Sequence, residues 1–162
     1  LQAPEADDMG IMRVYTDTSV FGGAYDEEFK QASLTFFEQV RAGQFVLVTS
    51  AVVQAEITLA PLAVRRLFEE LLEFAEIVEI TENSLELRDA YLQAKIVSPR
   101  YSDDALHVAV ATVAGCSLIV SWNFQHIVHF QKIPLYNAVN TLKGYQPIAI
   151  FSPREVIKYE EV

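Results

Sequence analysis

Short β-branched runs alternate along this chain with amphipathic segments of helical length, and that alternation constrains the fold more than any other feature. A strand of four to six apolar residues can be buried on both faces only if helices cover it. A helix of ten or more residues between two such strands is long enough to return the chain for parallel pairing. The pattern therefore predicts βαβ units around a mainly parallel sheet, an α/β fold with helices in outer layers. The sequence predicts strands over residues 13–16, 45–49, 77–80, 118–121 and 148–151. Between them it predicts helices over 30–42, 51–59, 62–75, 83–97 and 103–114. Leu34, Phe37 and Val40 supply the helical spacing in the first of these, and Gly43 stops it. Ser50 reads as a cap for the second, Thr81 or Asn83 for the fourth, and Gly115 closes the fifth. Residues 124–130 and 136–142 read as two further short helices, and Pro153 opens a terminal one.

The remaining properties narrow the class. The 162 residues suit one domain with its own core. Residues 1–11 are polar, acidic and aperiodic, and read as a frayed or added tail, with Met12 as the native start and 12–162 as a single domain. One cysteine, Cys116, rules out an internal disulfide framework and reads as a packed thiol. The apolar run over 105–114 is interrupted by His107 and Thr112 and falls short of the roughly 20 residues that span a bilayer. Together with the lack of an export-type leader, these features suggest a cytoplasmic protein. The six glycines include no phosphate-cradling loop, which argues against a nucleotide-binding or flavodoxin-like protein. The formal net charge of −10 argues against charge-driven nucleic-acid binding, because phosphate contacts need Lys and Arg. A carboxylate cluster that takes up divalent cations would change that local balance.

In parallel α/β sheets the functional crevice lies outside the carboxyl ends of the strands. Asp17 follows the first predicted strand. Glu56 lies in the helix after the second. Asp104 stands in the first turn of the helix that feeds the fourth strand, and Ser121–Asn123 follow that strand. Asp and Glu are hard oxygen donors of the kind Mg²⁺ or Mn²⁺ prefer, and such ions can neutralise a phosphodiester and activate a water. Each acid also has a plain structural reading. Asp17 could cap a turn at Thr18–Ser19, Glu56 could face solvent, and Asp104 could complement a helix dipole. Of the adjacent pair, Asp104 is expected to point inward, since successive helical residues diverge by about 100°.

Four segments then carry a resemblance. V-Y-T-D-T-S-V-F at 14–21, S-A-V-V-Q-A-E-I at 50–57, S-D-D-A-L-H-V-A-V-A at 102–111 and L-I-V-S-W-N-F at 118–124 resemble the PIN-domain family, in particular VapC-type toxins of bacterial toxin–antitoxin pairs. The resemblance runs over nearly the whole chain from Met12. It implies a three-layer α/β/α sandwich and an Mg²⁺- or Mn²⁺-dependent endoribonuclease. It assigns Asp17, Glu56 and Asp104 as metal ligands, Asn123 as a fourth catalytic position, and Ser19, Asp103 and Ser121 as supporting residues. It also implies an RNA substrate, an antitoxin partner and a homodimer. The family often has Asp where this chain has Asn123, which keeps an oxygen but loses a charge. A catalytically weak or inactive PIN-like binding module is therefore the alternative.

Other residues read more simply. His107 is either a base or a packed, hydrogen-bonded core histidine. His126 and His129 have a spacing that can bind zinc, but nothing nearby in sequence completes the set, so an exposed stripe is expected. Arg65, Arg66, Arg100 and Lys132 are candidate phosphate contacts, with solvated surface as the default. Trp122 either stacks on a base or closes the sheet edge. Residues 59–75 form an apolar helical face suited to an antitoxin or a second subunit.

Overall fold

The structure is a computed structural model and describes residues 10–159. The expectation for the N-terminal tail lies, up to residue 9, outside the described residues. Five strands form one parallel sheet: β1 (Met12–Thr16), β2 (Phe45–Ser50), β3 (Ala75–Val78), β4 (Leu118–Val120) and β5 (Ala149–Phe151). Their order is β3-β2-β1-β4-β5, so the first strand lies at the centre. Val14, Tyr15, Val48, Ile119 and Val120 are wholly buried, which is why these runs are apolar on both faces rather than alternating.

The helices are α1 (Thr18–Gly23), α2 (Lys30–Arg41), α3 (Ala51–Ile57), α4 (Leu62–Leu71), α5 (Glu82–Gln93), α6 (Ser102–Val113), α7 (Ile133–Leu142) and α8 (Pro153–Val156). From β1 the chain moves outward through β2 to β3, then crosses back to β4 and on to β5. Right-handed crossovers running in opposite directions place α1–α4 on one face of the sheet and α5–α7 on the other. Within the layers α1 packs on α2 and α4, while α5 packs on α6 and α7. This is the predicted three-layer α/β/α architecture. The reversal of direction between β1 and β4 opens a crevice at their carboxyl ends.

Several local expectations are corrected. Residues 18–23, over which no element was predicted, form α1; Gly22 and Gly23 hid it, since glycine is a poor helix former. Gly23 is there because of a close approach: a Cβ would stand 2.7 Å from Trp122 Nε1 and 2.8 Å from Ser33 Oγ. The helix expected over 62–75 stops at Leu71, passes through a 3-10 turn, Leu72–Phe74, and yields to β3 two residues early. Pairing of Leu47 with Ala75 fixes that register, which the local sequence does not encode. The helices expected to reach 59 and about 97 end at Ile57 and Gln93. Residues 124–130 form turns, not a helix. The Asn123 carbonyl accepts from both Ile127 and Val128, closing one tight loop, and α7 starts at Ile133 with Pro134 in its first turn.

Candidate functional site

The site is built where β1 and β4 end side by side. Asp17 follows β1 in extended conformation (φ −78°, ψ 174°), and its backbone N–H donates to the Val120 carbonyl at 3.3 Å. Its carboxylate is 3% exposed. Ser19 Oγ donates to Oδ1 and Ser121 Oγ to Oδ2, each at 2.6 Å. These two hydroxyls in turn accept the backbone N–H groups of Trp122 and Asn123, at 2.8 and 2.9 Å. The carboxylate is therefore fixed by both strand ends. Burial pushes its pKa up, against the opposing effects of His107 and the two serines.

Glu56 comes from α3, whose N-cap Ser50 accepts the Val53 N–H at 3.4 Å. Its Oε1 accepts from Thr18 Oγ1 at 2.5 Å and lies 2.8 Å from His107 Nε2. Burial acts to raise the Glu56 pKa, but the His107 hydrogen bond and charge, with the Thr18 hydroxyl, prevail and hold it below the usual value. His107 itself is 2% exposed. Burial opposes its protonation, yet Glu56, Asp17 and Asp104 together raise its pKa above the ordinary value. Its Nδ1 lies 2.7 Å from the Tyr15 hydroxyl, which lies 2.8 Å from Ser50 Oγ.

Asp104 is half-buried in the first turn of α6, whereas Asp103 is exposed. Asp17, Thr18, Ser19, Glu56, Leu59, Asp104, His107 and Asn123 line one open hollow of about 320 Å³. Four separate stretches of chain thus bring the three sequence-predicted acids and Asn123 to one depression, with Ser121 directly beneath Asp17. Asn123 lines it, and its side-chain oxygen accepts the His126 N–H at 3.0 Å. Asp103 does not line it.

Among the described residues, no three His, Cys, Asp or Glu side chains close tightly enough to form a ready-made ion cage. The donor set fits a hydrated hard cation instead. Mg²⁺ characteristically keeps several waters and takes one or two carboxylates plus substrate oxygens. Asp17 and Asp104 could hold such an ion, with Glu56 as a third oxygen donor.

The remaining candidates fall elsewhere. Trp122 is 6% exposed, stacks on Phe29 at 4.2 Å and donates Nε1–H to Ser33, so it closes the sheet edge. His126 is buried against Tyr101 at 4.0 Å, which corrects the expectation of an exposed stripe, while His129 Nδ1 accepts the Gln131 N–H. Arg65 is tied to the Ala60 carbonyl, Lys132 to that of Ile96, and Arg100 lies over the Tyr101 ring; neither these nor Arg66 line the hollow. Cys116 is buried. Sequence reading did not find Thr18, Tyr15 or the second role of Ser50. They act through partners 35 to 92 positions away, for which local sequence has no signal.

The fold has known counterparts. VapBC2 from Rickettsia felis, in a crystal structure bound to a DNA fragment from their promoter, superposes with a TM-score of 0.56 at 14% identity, covering 87% of this chain and 98% of that one. FitAB bound to the IR36 DNA fragment gives 0.56 at 13% identity, covering 91% and 98%. At such identities the likeness concerns the fold. No curated protein matches the chain. The sequence profile of the PIN domain matches residues 14–125, more than half of the chain and the span that carries Asp17, Glu56, Asp104 and Asn123. The chain therefore belongs to the PIN domain family.

Proposed function

We propose that this protein is an Mg²⁺- or Mn²⁺-dependent endoribonuclease, the toxin of a toxin–antitoxin pair. The observation that carries the reading is the convergence of Asp17, Glu56 and Asp104, from three distant elements, on one solvent-open hollow at the switch point of the sheet. A bound divalent ion would supply charge neutralisation for the phosphate and a more acidic water. Asp17, locked by Ser19 and Ser121, and Asp104, whose carboxylate lines the hollow, would hold it. Glu56 keeps Oε2 free to hold the ion or to orient the attacking water. Asn123 would support the cluster through water or substrate. The hollow is open to solvent, as access for an extended phosphodiester strand requires.

The VapBC2 and FitAB structures are complexes on DNA fragments, and by that likeness an antitoxin is the proposed partner, with a homodimer as the proposed state. Leu59 is 90% exposed at the rim and Leu62 51% exposed at the start of α4, so the acidic chain has apolar surface to offer such a partner. Among the described residues no helix is long and apolar enough to cross a membrane. The test is RNA cleavage with Mn²⁺ or Mg²⁺ by wild type, Asp17→Asn and Asp104→Asn. Both variants are expected to fall to background, and equal cleavage by all three would overturn the proposal. The rival, an inactive PIN-like binding module, draws on the prior engagement of the Asn123 oxygen. It predicts no heat of Mn²⁺ binding by a folded protein.

A further inference from the structure

His107 sits in the middle of an apolar stretch of α6, between Leu106 and Val108, and is 2% exposed. An imidazole in such a place is unfavourable unless both ring nitrogens find partners. Here both do, on two other elements. Nε2 meets Glu56 Oε1 on α3 at 2.8 Å, and Nδ1 meets the Tyr15 hydroxyl on β1 at 2.7 Å. Tyr15 continues to Ser50 Oγ at 2.8 Å, and Ser50 is the cap of α3. The chain of contacts therefore closes on itself. It grips α3 at its first turn and again at the acid that the helix delivers to the hollow. Thr18, from α1, donates to the same Glu56 oxygen at 2.5 Å. Two donors on Oε1 leave Oε2 without a hydrogen bond among the described residues.

We infer that His107 is a positioning residue: with Thr18 it clamps Oε1 of Glu56, so that the carboxylate presents Oε2 alone, in one orientation, to the hollow. This rests on the metal-dependent reading above. The hydrogen-bond directions are consistent. With the proton on Nε2, His107 donates to Glu56, Nδ1 accepts from Tyr15, Tyr15 accepts from Ser50, and Ser50 accepts the Val53 N–H. A carboxylate held by one oxygen loses little rotamer freedom on meeting a cation, which favours binding. Partners of this kind that orient a metal ligand typically contribute about 10–100-fold in metal affinity.

The test uses two amides that place their nitrogen at different ring positions, and reads Mn²⁺ affinity beside the melting temperature so that lost packing is told apart from the lost Glu56 contact. In His107→Gln the side-chain amide reaches the Nε2 position and can still donate to Glu56. In His107→Asn it reaches only the Nδ1 position, so the Tyr15 contact survives and the Glu56 contact is lost. Mn²⁺ binding by calorimetry at a temperature where both variants are folded is expected to be largely retained in the Gln variant and about 10–100-fold weaker in the Asn variant. Equal Mn²⁺ affinity in the two variants overturns the inference while leaving the nuclease reading in place. Absence of Mn²⁺ binding by wild type overturns both. Should His107→Asn fail to fold, Thr18→Val removes the other clamp from a half-buried position. Weaker Mn²⁺ binding at unchanged melting temperature then supports the inference, and unchanged binding overturns it.

Discussion

Asp17 shows how one residue can serve a site at the expense of the fold. Its carboxylate is buried and its pKa is raised, so the folded state binds its proton more tightly than the unfolded chain does. The linkage sign follows: its contribution to stability falls as pH rises from about its ordinary 3.8 through the raised folded value. Asp17→Asn keeps an acceptor and lets a serine hydroxyl turn to meet the amide. In EDTA at neutral pH, urea unfolding should therefore show this variant to be as stable as wild type or more so, whatever its effect on the proposed cleavage. A clear loss of stability would contradict burial strain at this carboxylate. His107 gives a second test. Its raised pKa means stability that is fully present below about its ordinary 6.5 and lost as pH climbs through the folded value. Glu56, with a lowered pKa, is already ionised across that range and adds no slope there. Metal-free wild type should lose stability on the alkaline side of that window, and His107→Gln should lose less over the same pH range.

At the scale of elements, the site depends on close docking between α1 and the loop after β4. Gly23 at the end of α1 touches the Trp122 indole, which is stacked on Phe29 and bonded to Ser33. Neither the ring nor its partners can retreat cheaply. Gly23→Ala should cost about 1–3 kcal/mol by denaturant melt, the range for overpacking a filled core. It should also lower cleavage, because Trp122 N–H holds Ser19 and Ser121 holds Asp17 from the same loop. Helix and strand identities were mostly legible because period and length decide them, and Ser50 was legible as a cap. The α1 helix was not, because Gly23 answers to the Trp122 ring about a hundred positions away. The loop over 124–130 was not, because it is also held from outside, by the Tyr136 hydroxyl that donates to the His126 carbonyl.

For the whole molecule, the sheet is tied across its strands by Arg13. From β1 it reaches past β2 to Glu76 on β3, with contacts of 3.0 and 2.6 Å, and donates to the Ala114 and Gly115 carbonyls after α6. Its side chain is 8% exposed, against 26% for Arg88 in the Arg88–Asp89 pair of α5. Arg13→Ala should destabilise by about 2–4 kcal/mol, since it removes a buried guanidinium from a part-buried bidentate pair and two carbonyl caps. Arg88→Ala should stay within about 0.5 kcal/mol, because exposed pairs are screened and contribute little. Chemical denaturation of the two variants side by side measures the difference, and equal losses would refute this ranking by burial.

The sequence by itself determined the layer architecture, because strands buried on both faces must be apolar and the helices between them must be long enough to bring them back parallel. It also determined that Asp17 stands at a strand end and Asp104 in the first turn of a helix, since position along an element is a local property. Only the tertiary structure decided which oxygens are free to work. The Glu56 clamp joins α1, α3 and α6, with Tyr15 of β1 behind it, and the choice of Oε2 over Oε1 follows from hydrogen-bond geometry between residues far apart in the chain. Such geometry exists only once the sheet order has placed those elements together, because a hydrogen bond depends on tenths of an ångström and sequence periodicity reports only which face a residue occupies.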